Sequence, residues 1–337
     1  MIRLVLLSAV LLVAGCRAAP DDAPVVVVPT HSPDVAGRAD AATALSADTT
    51  ARGPAPKSAP PADAPAEAPP PARVAPAAGV YVLIAAIDDY PGREDDLAST
   101  RIDAALMRDA FAERFAVPPD RIRVLLDRQA TRAAIIDGFR QHLAQAGEGG
   151  TAIFYYSGHG IRLDDNPGWT DPEDDGRDEA IYVWGTGGTG AVLLDDELGL
   201  LADDVGAGHT LLVLDACFSG TGARGNVRPK VVDAADAVLG APPTWLTAGR
   251  TPPAEERYAL LAASADTEEA LAGLPGKPSL FTSVLAPALR SAPAAASLAD
   301  VIRAVRPRVM REARGYGHAQ TPQAEGRADA TLGSLRP

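Results

Sequence analysis

Cys217 closes the run Leu211-Leu212-Val213-Leu214-Asp215-Ala216-Cys217, and Phe218-Ser219-Gly220 follows it. Upstream, a second apolar run, Ala152-Ile153-Phe154-Tyr155-Tyr156, ends in Ser157-Gly158-His159-Gly160. A thiol and an imidazole at the ends of two strand-like runs are the parts of a nucleophilic hydrolase. The sulfur attacks a carbonyl carbon, and the imidazole protonates the leaving amine and helps activate thiol or water. Ser157 and His159 are two positions apart, as are Asp215 and Cys217. In extended chain each pair points to one side of a sheet, so Ser157 and Asp215 belong near the reacting pair. Gly158 and Gly160 leave room for backbone to approach a substrate. Asp215 poses a difficulty, because a carboxylate beside a thiol disfavours the thiolate. A cationic substrate side chain would relieve it.

The elements that must position these residues alternate. Val80 to Ile87 reads as a strand buried on both faces, Arg121 to Leu126 as a second and Thr151 to Tyr156 as a third. Thr210 to Leu214 makes a fourth, and Tyr258 to Ala263 a further candidate. Between them fall helical patterns: Leu97 to Phe115, with Ile102, Leu106 and Ala110 recurring at i+4 and Met107 and Phe111 alongside, and a helix capped by Thr131 with Ile135, Phe139 and Leu143 inward. A short helix is expected at Asp195 to Ala202, and a short extended piece at Ala180 to Trp184. Two helices close the chain at Leu280 to Leu289 and Leu298 to Glu312, the second kinked or shortened by Pro307. Strands alternating with helices imply a three-layer α/β/α sandwich around a mostly parallel central sheet. Ligands bind such sheets at the carboxyl ends of the strands, where His159 and Cys217 fall.

The chain has 337 residues and a net charge of −13, which argues against a nucleic-acid partner. Residues 1–16 read as a signal: Arg3, an apolar stretch from Leu4 to Val13, then Ala14-Gly15-Cys16. That pattern resembles a bacterial lipoprotein signal, which implies lipid on Cys16 and a place in the cell envelope, periplasmic or on the outer-membrane side. Residues 17–78 are rich in Ala and Pro and cannot bury enough apolar surface to fold, so they read as a disordered tether. Residues 79–335 remain for one domain. With Cys16 lipidated, Cys217 has no disulfide partner in the chain, and an unpaired thiol in an oxidising compartment is expected to be reactive.

Tyr156-Ser157-Gly158-His159-Gly160 and Asp215-Ala216-Cys217-Phe218-Ser219-Gly220 resemble the two catalytic motifs of the caspase-like cysteine peptidases (peptidase C14 type), closer to metacaspases and their bacterial relatives than to true caspases. Asp215 stands where the caspase signature has glutamine. Ile102-Asp103-Ala104, Asp178-Glu179 and Thr321-Pro322-Gln323 extend the resemblance over residues 79 to 326. It implies a caspase-like fold and a Cys217–His159 dyad, with the backbone N–H groups of Gly160 and Cys217 as the oxyanion hole. It further implies an acidic pocket of Asp103, Ser157 and Asp215 that selects Arg or Lys at the cleaved position. The partner is then a protein or peptide with a basic residue at the cut.

No cofactor is required by this chemistry. Calcium is the one candidate: Asp195-Asp196 resembles part of an acidic site used by some metacaspases, and Asp171 to Gly176 partly mimics a calcium loop, although Tyr182 stands where that loop needs its closing glutamate. The long segment Thr221 to Glu256 carries Arg224, Arg228, Lys230 and Arg250, so a basic-specific peptidase has candidate self-cleavage sites there. His31, His142, His209 and His318 lie outside any motif and read as surface or structural. Two rival functions share the fold: a catalytically idle binding or scaffolding module at the membrane, and an acyltransferase or amidase using the same dyad.

Overall fold

A computed structural model describes residues 78–91, 96–164, 177–185, 191–217, 230 and 257–336. The signal, Cys16 and the tether up to residue 77 lie outside the described residues, as do the Asp171 to Gly176 segment and most of Thr221 to Glu256.

The apolar runs form strands β1 (Val80–Ala86), β2 (Ile122–Leu126), β3 (Thr151–Ser157), β7 (His209–Asp215) and β8 (Tyr258–Ala262). β1 and β3 are buried along their whole length, as expected of strands covered on both faces. With β9 (Gln323–Gly326) they make a six-stranded sheet of order β2-β1-β3-β7-β8-β9. All neighbours pair in parallel except β8 and β9. The antiparallel edge strand β9 begins within Thr321-Pro322-Gln323 and is not foreshadowed by its polar sequence.

Strand side chains alternate between two cores. Val82, Ile84, Ile153, Tyr155, Leu211 and Val213 pack with α1 (Thr100–Phe115), α4 (Leu280–Ser291) and α5 (Leu298–Gly315). Leu83, Ala85, Phe154, Tyr156, Leu212 and Leu214 face the other way, toward α2 (Arg132–Asp137) and α3 (Asp195–Asp204). This is the three-layer α/β/α sandwich with a mostly parallel sheet. Thr131 caps α2 through its hydroxyl, 3.2 Å from the Ala134 N–H, and the helix winds on through Gly138–His142 and Leu143–Ala146 in altered turns. Ile135, Phe139 and Leu143 are buried as expected.

Several expectations are corrected. α1 buries Met107, Ala110 and Phe111 as expected, and Asp103 and Ala104 with them, whereas Ile102 and Leu106 are only half-buried. α5 runs through Pro307 to Gly315 instead of stopping near Glu312, and α4 likewise contains Pro287. The single extended piece expected at Ala180 to Trp184 is part of a separate antiparallel sheet, β4 (Gly160–Asp164), β5 (Arg177–Tyr182) and β6 (Val192–Leu194). Among the described residues, no helix is long and apolar enough to cross a membrane.

Candidate active site

β3 and β7 are neighbours, and their register sets Ser157 opposite Asp215. His159 and Cys217 each lie two residues beyond that pair, so both emerge at the carboxyl end of adjacent strands. The Gly158 N–H reaches back to the Asp215 carbonyl at 3.4 Å, tying the two strand exits together.

Asp103, Ser157 and Asp215 converge in one fully buried pocket, and Lys230 fills it. The Lys230 ammonium is 2.9 Å from Asp215 Oδ1 and 3.4 Å from Asp103 Oδ2. It also donates to Ser157 Oγ at 2.8 Å and to the Asp215 carbonyl at 3.0 Å. Ser157 Oγ donates in turn to Asp103 Oδ2 at 2.8 Å. An ammonium taken out of water needs such a set of acceptors, since desolvation otherwise outweighs its attraction to a carboxylate.

The main chain of Lys230 is held just as fully. Its carbonyl oxygen accepts the Gly160 N–H at 2.9 Å and the Cys217 N–H at 3.3 Å. Its own N–H donates to the Ala270 carbonyl at 3.0 Å. The two donors assigned to an oxyanion hole therefore point at one peptide oxygen, next to the residue that carries the sulfur. Donors fixed before reaction are the arrangement that stabilises charge developing on an attacked carbonyl.

Sequence reasoning missed the outer wall of the pocket, which comes from the start of α4. Ser279 gives its N–H to Asp103 Oδ1 at 2.7 Å and its hydroxyl to Asp103 Oδ2. Thr282 donates to Asp215 Oδ2 at 2.6 Å and bonds the Tyr155 hydroxyl at 2.6 Å. A serine ahead of an apolar helix normally caps it; Ser279 makes no side-chain cap bond because its hydroxyl is turned to Asp103. Burial raises the Asp103 carboxyl to about 6, with Lys230 pulling it down and Asp215 pushing it up.

Three tyrosines, also missed, hold His159. The His159 N–H donates to the Tyr90 hydroxyl at 2.8 Å, and its carbonyl accepts from the Tyr156 hydroxyl and the Tyr182 N–H, each at 2.8 Å. The Tyr90 ring lies 5.0 Å from the imidazole and stacks on Tyr182 at 5.5 Å. Burial raises the Tyr90 and Tyr156 hydroxyls well above the ordinary phenol value, so both stay protonated as donors. Tyr90 is on the loop after β1, where Asp127 Oδ1 accepts the N–H groups of Asp88 and Asp89 at 2.8 and 3.0 Å. A side chain at position 158 would place its Cβ 2.6 Å from the Tyr90 hydroxyl, which accounts for glycine there.

Cys217 is buried, and its thiol donates to the Ala270 carbonyl at 3.3 Å. Burial pushes its pKa up to about 12, so with Lys230 in place the sulfur is a thiol and not a thiolate. Lys230 thus covers the end of the sheet from which Cys217 emerges.

The other candidates fall elsewhere. Asp195 and Asp196 begin α3, where neighbouring residues diverge by about 100° around the helix. Glu197 is committed to Arg132 and the Leu194 N–H. Among the described residues no group of three or more His, Cys, Asp or Glu side chains converges to hold a metal. Among the described residues, Asp195 and Asp196 are not joined by a third acidic ligand. Asp178 and Glu179 are buried in β5, with Glu179 paired to Arg162 at 2.7 Å. His142 bonds the Val82 and Arg121 carbonyls at 3.0 and 3.2 Å, and His209 starts β7. His318 is buried against Glu269.

The mostly parallel sheet flanked by helices on both faces agrees with the α/β architecture of caspase-like domains. The profile of the caspase domain (peptidase C14) matches residues 80–331, and the chain belongs to that family. It is 32% identical over 140 residues to metacaspase-1 of Cryptococcus neoformans, covering 40% of this chain and 30% of the relative. Against metacaspase-4 of Arabidopsis thaliana it is 30% identical over 139 residues, covering 39% and 32%. The chain thus spans about a third of the length of these relatives. A crystal structure from Geobacter sulfurreducens has a similar fold, with a TM-score of 0.52 at 21% identity, covering 73% of this chain and 92% of that one.

Proposed function

We propose that the chain is a cysteine endopeptidase that cleaves after Lys or Arg, with Cys217 as nucleophile and His159 as acid and base. The observation that carries this is Lys230, which occupies the site as the residue before a cleaved bond would. Its ammonium is in the acidic pocket, its carbonyl oxygen on the two N–H donors, and its N–H on Ala270. A pocket with two carboxylates and a hydroxyl around one ammonium has no counterpart charge for a substrate aspartate, so like-charge repulsion excludes it.

The bond so presented is Lys230–Val231. Cys217 Sγ loses its proton through His159 and attacks the Lys230 carbonyl carbon. The oxygen takes the negative charge against the Gly160 and Cys217 N–H groups, and the Val231 nitrogen leaves with the proton from His159. Water then releases the Lys230 carboxylate from the thioester. Lys230 is therefore both the first substrate residue and, until that bond is cut and the segment leaves, the plug of its own site. Lipidation at Cys16 would tether this peptidase to the cell envelope, with residues 17–78 as the spacer.

The test is a panel of fluorogenic peptides matched except for Lys, Arg or Asp at the cleaved position, with and without calcium. Lys and Arg peptides are turned over, Cys217→Ala and His159→Ala abolish turnover, and the Asp peptide is inert. Preference for Asp, or peptide turnover that survives Cys217→Ala, overturns the proposal. A chain that binds the basic peptides and cuts none is the idle module instead.

A further inference from the structure

The Thr321-Pro322-Gln323 motif and the buried pair of His318 and Glu269 lie outside the thiol and imidazole chemistry. His318 Nδ1 is in close hydrogen-bond contact with the Glu269 carboxylate, both residues being buried. Two residues on, Gln320 is buried too; its Oε1 accepts the Leu271 N–H and its Nε2 donates to the Ala263 carbonyl, each at 3.2 Å. Thr321 Oγ1 donates to Glu268 Oε1 at 2.9 Å. Three side chains from one short stretch thus grip the segment from Ala263 to Leu271 in succession. The stretch is itself fixed to the end of α5, where the His318 N–H donates to the Ala313 carbonyl at 3.1 Å.

Ala270 lies between two of the gripped residues, Glu269 and Leu271. It belongs to no helix or strand, yet its carbonyl accepts both the Lys230 N–H at 3.0 Å and the Cys217 thiol at 3.3 Å. A carbonyl in irregular chain keeps its direction only if its neighbours are held. A buried polar pair is weak support for overall stability, because apolar residues of similar size do as well. Its place directly beside a substrate-facing carbonyl is what distinguishes this one.

We propose that His318, Gln320 and Thr321 form a splint that aims the Ala270 carbonyl at the main-chain N–H of the substrate residue at the cleaved bond. They are positioning residues; Ala270 makes the substrate contact. This rests on Lys230 standing where that substrate residue binds.

The experiment uses the full-length chain and two fluorogenic lysyl substrates. They are identical except that in one an ester oxygen replaces the N–H of the cleaved lysine, which removes the donor with little change in shape. Wild type favours the amide by about tenfold in kcat/KM, the scale of one hydrogen bond. His318→Leu and Gln320→Leu lower kcat/KM for the amide by about tenfold, mostly through KM, and for the ester by less than about twofold. His318→Gln, which can still bond Glu269, restores most of the loss. Equal losses on both substrates make the stretch a purely structural clamp and overturn the splint, as does an unchanged preference for the amide. Should the leucine variants fail to fold, Thr321→Val, at a half-buried position, carries the same comparison with an expected amide-selective loss of about threefold. A wild type that cleaves neither lysyl substrate removes the Lys230 reading itself, and the splint with it.

Discussion

Lys230 places its ammonium 2.9 Å from the Asp215 carboxylate, with neither side chain exposed. Buried pairs of this kind hold only while both partners are present, and loss of one leaves an uncompensated charge. Lys230→Ala removes the plug and opens the pocket to water and ligands. The expected result is faster alkylation of Cys217 by a lysyl chloromethyl ketone than in wild type, by about tenfold or more, because the competing lysine is no longer part of the chain. Labelling rates on the two proteins, read by intact mass, check this.

On the proposed specificity, Asp215 is the carboxylate nearest the basic side chain. Asp215→Ala leaves a substrate lysine in a dry pocket without its nearest carboxylate, a loss in the range of about 2–5 kcal/mol. That corresponds to a fall of about 30-fold or more in kcat/KM for Lys peptides. The response of an uncharged norleucine peptide is much smaller. Steady-state kinetics on the two peptides separate a pocket role from general damage.

Asp103 makes binding of a lysine pH-dependent. Its carboxyl is raised to about 6 by burial while a lysine is in the pocket, and the ammonium lowers that value against the empty pocket. The empty pocket therefore titrates higher, and binding a lysine expels a proton in the window between the two values. Affinity for a lysyl peptide amide rises with pH from about 6 upward and levels once the empty pocket is ionised. In Asp103→Asn the slope disappears. Inhibition constants measured across pH on Lys230→Ala protein, with and without Asp103→Asn, provide the check.

Tyr90 and Tyr156 set the position of the imidazole through its backbone. Tyr90→Phe keeps the ring against His159 but removes the acceptor of its N–H. A loss of about 1 kcal/mol in alignment lowers kcat by about fivefold with KM nearly unchanged. Gly158→Ala pushes a methyl group into both hydroxyls and abolishes turnover. Kinetics and thermal midpoints of the two variants distinguish misalignment from unfolding.

The placement of His159 and Cys217 at adjacent strand ends was legible because each follows a long apolar run, and apolar runs of that kind become buried strands. Ser157 and Asp215 were legible from strand alternation, whereas Asp103 was legible only through the family resemblance, because a single acid on an apolar helix face carries no local signal of what it meets. Ser279, Thr282 and Tyr90 were illegible for a different reason. They reach the site from segments distant in sequence, and their bonds to Asp103, Asp215 and His159 depend on tertiary packing that leaves no local pattern. The edge strand β9 shows the same limit: its polar residues pair with β8 because that edge is available. Lys230 was one of four basic residues in a long segment, and only the pocket singles it out.

The most direct test is to incubate the purified full-length chain and sequence the new ends of any fragments by mass spectrometry, with Cys217→Ala as the control. A cut that ends one fragment at Lys230 and begins the next at Val231, absent from Cys217→Ala and retained in Lys230→Arg, is the predicted result. A wild-type chain cut after an acidic residue instead, or a Lys230–Val231 cut that persists without the Cys217 sulfur, contradicts it.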